Sequence, residues 1–145
     1  LDRYLHAGVK PATPELADFI VDGDYSDVGI FGIAPDYENA IEFIDYIVSK
    51  GVDPEDGYTN ATAEETKIAA DHGMNQASHL YNGYKTMHHR ASDPCVGVLL
   101  EDRINAQLTM DGYHVNPSWI KLTIKAKGIE VVFISKIEEL PRALF

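Results

Sequence analysis

The stretch INAQLTMDGYHVNPSWIKLTIKAKGIEVVFIS, residues 104–135, decides the fold. Ile104 to Met110 reads as a strand, and Asp111-Gly112 supplies the turn that ends it. Asn116-Pro117 then places a capping residue before a Pro at the first helical position, which is how helices begin. The helix carries Trp119, Leu122, Thr123 and Ala126, and Gly128 stops it. Glu130 to Ser135 is a second strand. A strand, a crossover helix and another strand place the two strands parallel in one sheet.

The same rhythm runs back along the chain. Thr13-Pro14-Glu15 opens a helix through about Val21. Asp27 to Ala34 (DVGIFGIA) reads as a strand broken by Pro35, and Tyr37 to Ser49 as a helix with an apolar stripe of Ile41, Ile44, Ile47 and Val48, stopped by Gly51. Val52 to Thr59 should hold the next strand, but VDPEDGYT is a poor one: Pro54 lacks a ladder donor and its acids resist burial. Thr62-Ala63-Glu64-Glu65 is a capping box for a helix ending near Gly73. Gln76 to Tyr81 reads as a strand, followed by a loop through Pro94 and a helix from Val96 to Asp102. Glu138 to Leu144 would begin a last helix. Five strands and about five helices over residues 1–145 make one α/β domain with a parallel sheet. Such a sheet places its ligands at the carboxyl ends of the strands, which selects Asp36, Tyr58, His79, Asp111 to His114 and Lys136.

Composition narrows the functional classes. The chain has 145 residues, 45% of them hydrophobic, with 12 Lys+Arg against 23 Asp+Glu and a formal charge of −11. That excess repels phosphodiester backbones, so nucleic acid is a poor partner. No apolar run reaches the roughly 20 residues that span a bilayer, and no leader is visible, so no membrane role is expected. The lone Cys95 can neither staple the fold nor build a thiolate metal cage, which fits a reducing, cytoplasmic compartment. The first residue is Leu1 rather than Met, which points to a processed product or a fragment.

Several strand-end groups carry chemistry. Ser78-His79-Leu80-Tyr81-Asn82-Gly83 offers an imidazole for a divalent metal, and an amide with a following backbone N–H for a phosphate or sugar hydroxyl; the bland alternative for His79 is a half-buried side chain with a satisfied hydrogen bond. His88-His89-Arg90 offers a bidentate guanidinium and two imidazoles to an anion, or else lies solvated in its loop. Asp111-Gly112-Tyr113-His114 throws a second imidazole to the same rim. Lys136 could hold an anion or point into water. Glu64-Glu65 and Glu138-Glu139 complement helix macrodipoles.

Taken in order, Ala34-Pro35-Asp36, Gly57-Tyr58-Thr59-Asn60-Ala61-Thr62, Ala77-Ser78-His79-Leu80-Tyr81-Asn82-Gly83, His88-His89-Arg90, Asp111-Gly112-Tyr113-His114-Val115 and Val132-Phe133-Ile134-Ser135-Lys136 resemble the N-acetylglucosamine-6-phosphate deacetylase family of the amidohydrolase superfamily. The similarity runs from about Leu5 to Lys136. It implies a parallel-stranded partial (β/α)8 (TIM-type) barrel of about five βα units, matching the later strands of that family's barrel. It also implies hydrolysis of N-acetylglucosamine 6-phosphate to glucosamine 6-phosphate and acetate in amino-sugar catabolism, with a zinc or iron ion activating water.

Carried over by position, the family's metal ligands fall on Asp36, His79 and Tyr58, and its catalytic Asp falls on Lys136. Its substrate contacts fall on Asn82, Gly83, Arg90 and His114, with Arg90 reaching a neighbouring subunit's phosphate. Tyr58 is a poor zinc ligand because a phenol with pKa about 10 keeps its proton at pH 7. Lys136 cannot serve as a base while charged. The resemblance therefore allows a metal-dependent deacetylase or a piece of one, a catalytically silent binder of phosphorylated amino sugars, or an inactive fragment that oligomerises. A closed barrel of this type takes about 250 residues. Five strands alone should leave two unpaired edges and a bare apolar face, to be covered by a second copy or a complementing barrel half.

Overall fold

The computed structural model describes residues 11–129 and, for the backbone, 132–135. Helices and strands alternate: α1 (Pro14–Ile20), β1 (Ile30–Gly32), α2 (Ala40–Ser49), β2 (Asp53–Asp56), α3 (Ala63–Asp71), β3 (Gln76–Ala77), α4 (Pro94–Leu100), β4 (Asn105–Thr109), α5 (Pro117–Lys127) and β5 (Val132–Ser135). The strands form one sheet in the order β1-β2-β3-β4-β5, every pair parallel. Ile30 sits opposite Asp53, Glu55 opposite Gln76, Gln76 opposite Asn105 and Ala106 opposite Val132. The expected Lys136 and the expected helix at Glu138 to Leu144 lie outside the described residues. No described helix is long and apolar enough to cross a membrane.

Local chemistry explains the helix starts. Thr13 accepts the Leu16 N–H at 3.2 Å and Asn116 the Ser118 N–H at 2.9 Å, each followed by Pro at the first helical position. The capping box forms as the sequence predicts: Thr62 Oγ1 accepts the Glu65 N–H at 3.1 Å, and Glu65 accepts the Thr62 N–H at 2.7 Å. Each such cap contributes about 1 kcal/mol by satisfying a donor that the helix itself cannot. α4 starts two residues before its expected position, with Pro94 at its first position and the Asp93 carbonyl accepting the Val96 and Gly97 N–H groups at 3.1 Å each.

Two expectations are revised. β3 pairs only at Gln76–Ala77 rather than through Tyr81, because His79 (φ 34°) and Tyr81 (φ 77°) turn the chain away from extended geometry. α2 buries Ala40, Phe43, Ile44 and Ile47, so its inward stripe is rotated from the one read off the isoleucines, and Val48 is turned outward. β2 does form despite Pro54. The β2–β3 ladder begins one residue later, at Glu55–Gln76, so the donor that Pro54 lacks falls before it.

The helices cover one face of the sheet. Ala17, Phe43, Ile44, Ile47, Val52 and Met74 pack around α2, while Ala77, Leu80, Val98, Ile104, Leu108 and Ile120 pack beneath α4 and α5. Over β2, β3 and β4 the opposite face corrects the expected bare apolar surface. Asp53, Glu55, Gln76, Asn105, Gln107 and Thr109 alternate with the buried positions and stay exposed or half-buried. Gln107 Nε2 donates across this face to Glu55, and Asn75 Nδ2 to Asp53 at 2.8 Å. Over β2, β3 and β4 the uncovered side is polar and cross-linked by amide–carboxylate hydrogen bonds, while Ile30 of β1, opposite Asp53, is an exposed apolar side chain.

Candidate functional site

The loops after β1, β2, β3 and β4 carry the sequence-selected groups at one rim of the parallel sheet. Asp36, beyond β1, is tied to the loop after β2: one carboxylate oxygen accepts the Thr59 hydroxyl at 2.6 Å and the other the Asn60 N–H at 3.3 Å. Tyr58 stands at φ 54°, half-exposed, with its ring edge-on to the His79 imidazole, centroids 4.7 Å apart at 75°. Gly83 lets that ring lie close: a Cβ there would meet Tyr58 Cδ1 at 2.6 Å, and φ 77° suits glycine. Asp36, Tyr58, His79 and Gly83 are thus linked through the adjoining ends of β1, β2 and β3.

The donor chemistry at this rim does not fit a divalent metal. Asp36 already accepts two hydrogen bonds, Tyr58 is a phenol packed against the imidazole, and His79 supplies one nitrogen. Among the described residues no three His, Cys, Asp or Glu side chains come close enough together to hold a metal ion. His79 Nδ1 is nevertheless buried without a hydrogen-bond partner in the described structure. A polar nitrogen in that condition is rare enough to mark a site.

Asp56, which sequence reasoning passed over as one acid of a poor strand, is fully buried on the helix side of β2. Neither carboxylate oxygen has a hydrogen-bond partner in the described structure. The Gly57 N–H lies near enough to favour the carboxylate without meeting it in bonding geometry, and burial outweighs it. Burial first, and then repulsion from Asp36, push the Asp56 carboxyl well above its ordinary range. No short motif signals such a residue; the signal is an acid at a buried period-two position of a strand.

On the other flank, His114 follows β4. Asp111 holds it, accepting the His114 and Tyr113 N–H groups at 2.9 Å each and approaching His114 Nδ1 at 2.5 Å. These backbone donors, and then the imidazole, lower the Asp111 carboxyl to about 2, so it stays an anion that orients the ring. Asn82 turns back on its own loop, its N–H reaching the His79 carbonyl at 2.9 Å. Arg90 is exposed in the loop before α4, where His88 Nδ1 accepts its backbone N–H at 3.2 Å and the His88 and His89 rings lie 4.5 Å apart. Cys95 is buried, and burial raises its thiol to about 12, so it is inert.

No protein-family model matches the chain. It is 30% identical over 102 residues to N-acetylglucosamine-6-phosphate deacetylase of Lysinibacillus sphaericus, covering 70% of this chain and 26% of that one. Against the Vibrio furnissii enzyme of the same name the identity is 29% over 126 residues, covering 86% and 31%. It superposes on the Mycobacterium smegmatis N-acetyl-D-glucosamine-6-phosphate deacetylase D267A mutant in complex with N-acetyl-D-glucosamine-6-phosphate with a TM-score of 0.82 at 25% identity, covering 92% and 35%. The chain therefore spans between a quarter and about a third of the relatives it matches. Its α/β sheet is a partial (β/α)8 barrel.

Proposed function

This chain is a relative of the N-acetylglucosamine-6-phosphate deacetylases that corresponds to about a third of their length, and on that premise we propose that it binds a phosphorylated amino sugar without cleaving its amide. The loops after β3 and β4 are the binding elements. Asn82 and Gly83 offer an amide and a turn N–H to the phosphate. His114, fixed by Asp111, offers a ring nitrogen to a sugar hydroxyl. Arg90 stands on an exposed loop with a planar fork for phosphate, available to a second copy in a homo-oligomer.

The observation that carries the non-hydrolytic part is the Tyr58 ring against His79. By the resemblance, it stands where the family carries a second metal-binding imidazole, and no step through a metal follows from these residues. Hydrolysis to glucosamine 6-phosphate and acetate is the second reading, favoured by the buried, unpartnered His79 Nδ1.

Thermal unfolding with glucosamine 6-phosphate tests the binding. A ligand at about 100 times its dissociation constant stabilises the native state by about 2.7 kcal/mol, so the midpoint must rise with concentration. An unchanged midpoint at millimolar sugar phosphate overturns the proposal. Acetate release from N-acetylglucosamine 6-phosphate, with and without added zinc or iron, separates the two readings: none is expected, and turnover would establish the second. The double variant Tyr58→His, Lys136→Asp is expected to stay inactive unless the remaining barrel strands are supplied.

A further inference from the structure

Between the loop after β3 and the loop after β4 lies a cavity of about 410 Å³, within the range of small-molecule sites. Tyr81, Tyr84, Tyr113 and Trp119 give it aromatic walls, with Lys85 and His114 among them. Asn82 and Gly83, at the turn between Tyr81 and Tyr84, are not part of its lining.

The hydrogen-bonding inventory of the walls is selective. The Tyr81 hydroxyl is engaged by Thr123 Oγ1 at 2.5 Å, and the Tyr84 hydroxyl donates to the Asp56 carbonyl at 2.9 Å. Asn116 spends its carbonyl on the Ser118 N–H, and His114 Nδ1 is occupied by Asp111. A sugar ring needs many hydroxyl partners, and these groups are already committed. What the walls still present is ring surface: Tyr113 is 94% exposed and Trp119 41%. The half-exposed Lys85 ammonium, 3.5 Å from Asp93, adds one donor for an anion.

Charge points the same way. None of the lining residues is Asp or Glu, although the chain carries 23 of them against 12 Lys+Arg. Aromatic faces with one cationic donor among them complement a flat apolar body bearing one negative group.

We propose that this cavity binds a small planar aromatic acid, with its ring between Tyr113 and Trp119 and its acidic group at Lys85. The acid's contacts, Lys85, Tyr113 and Trp119, differ from the sugar-phosphate contacts Asn82, Gly83 and His114. Binding of sugar phosphate at Asn82 and Gly83 is not required for it.

Trp119 is the only tryptophan in the chain, so its emission reports on this wall. The test titrates trans-cinnamate into the full chain and follows that emission, with circular dichroism confirming that the fold is intact. Saturable change with a dissociation constant below about 1 mM is expected, and cinnamamide, which lacks the charge, should bind about tenfold more weakly. Lys85→Met and Tyr113→Ala should each weaken cinnamate by severalfold; the exposed Tyr113 carries the test if Lys85→Met, which strips buried Asp93 of its counter-charge, fails to fold. Glucosamine 6-phosphate should not displace cinnamate. No saturable response, equal binding of the amide, or displacement by the sugar phosphate would each overturn the proposal, and none of these bears on whether the sugar phosphate itself binds.

Discussion

β2 and β4 hold equivalent places in the sheet, each between two parallel neighbours, yet they meet the helix layer with opposite chemistry. β4 is Asn105-Ala106-Gln107-Leu108-Thr109, in which Ala106 and Leu108 are fully buried and the polar residues face the open side. β2 is Asp53-Pro54-Glu55-Asp56, with the same alternation but a carboxylate where β4 has Ala106. Its neighbours hold it in register. The Ile33 N–H donates to the Glu55 carbonyl at 2.9 Å, and the Asp56 carbonyl accepts the Ser78 N–H at 2.7 Å and the Tyr84 hydroxyl at 2.9 Å. A strand position can therefore be set by ladder hydrogen bonds while its side chain works against the fold.

The largest effect should come from Leu108→Ala, which leaves a cavity in the main core and is expected to cost about 3 kcal/mol in a urea titration. Asp56→Ala should move the other way, stabilising by about 2 kcal/mol at neutral pH, because it removes an unpartnered buried carboxyl. Equal losses from the two variants would break the contrast between the strands.

The pH profile sharpens the same contrast. The Asp56 pKa is raised in the fold from an ordinary 3.8, so below that value both states are protonated and the fold bears no ionisation penalty. As pH climbs above it, the unfolded chain ionises first and gains, so stability falls until the buried carboxyl itself ionises. Asp56→Ala should flatten that decline in midpoints measured from acid to neutral pH, while Leu108→Ala should keep its slope.

Gly83→Ala is expected to cost about 1–2 kcal/mol, since it places a Cβ in the Tyr58 ring and forces an alanine to positive φ. Tyr58→Ser in the same chain should recover the steric part, read from the His79 imidazole resonances in NMR. Smallest of all, Gln107→Leu on the open face should change stability by no more than about 0.5 kcal/mol. A gain well beyond that would mean that the open face is covered by an apolar partner.

Much of the fold was legible because its signals are local. Thr13, Thr62 and Asn116 each cap a donor two or three residues away, and a short sequence contains everything such a bond needs. The polar open face was also written in the alternation of Asn105, Gln107 and Thr109, but an open parallel sheet is expected to leave an apolar face bare. β3 misled because Leu80 and Tyr81 look strand-like, while their turn is set by contacts such as the Leu80 N–H to the Gln107 carbonyl, 2.8 Å away across the sheet. The site followed the same division. Asp36, Tyr58, His79 and His114 could be named from strand ends, but the ring of Tyr58 on His79, the burial of Asp56 and the aromatic cavity depend on residues brought together from different loops.

Strand order that repeats chain order has a kinetic consequence. Each strand pairs with the next one along the sequence, as Ile30 does with Asp53 and Ala106 with Val132, so closing each step requires a loop of only a few tens of residues. Such a chain can nucleate at one βα unit and grow by adding its neighbour, as stacked-repeat proteins do. During synthesis, an emerging segment would find its docking partner already made.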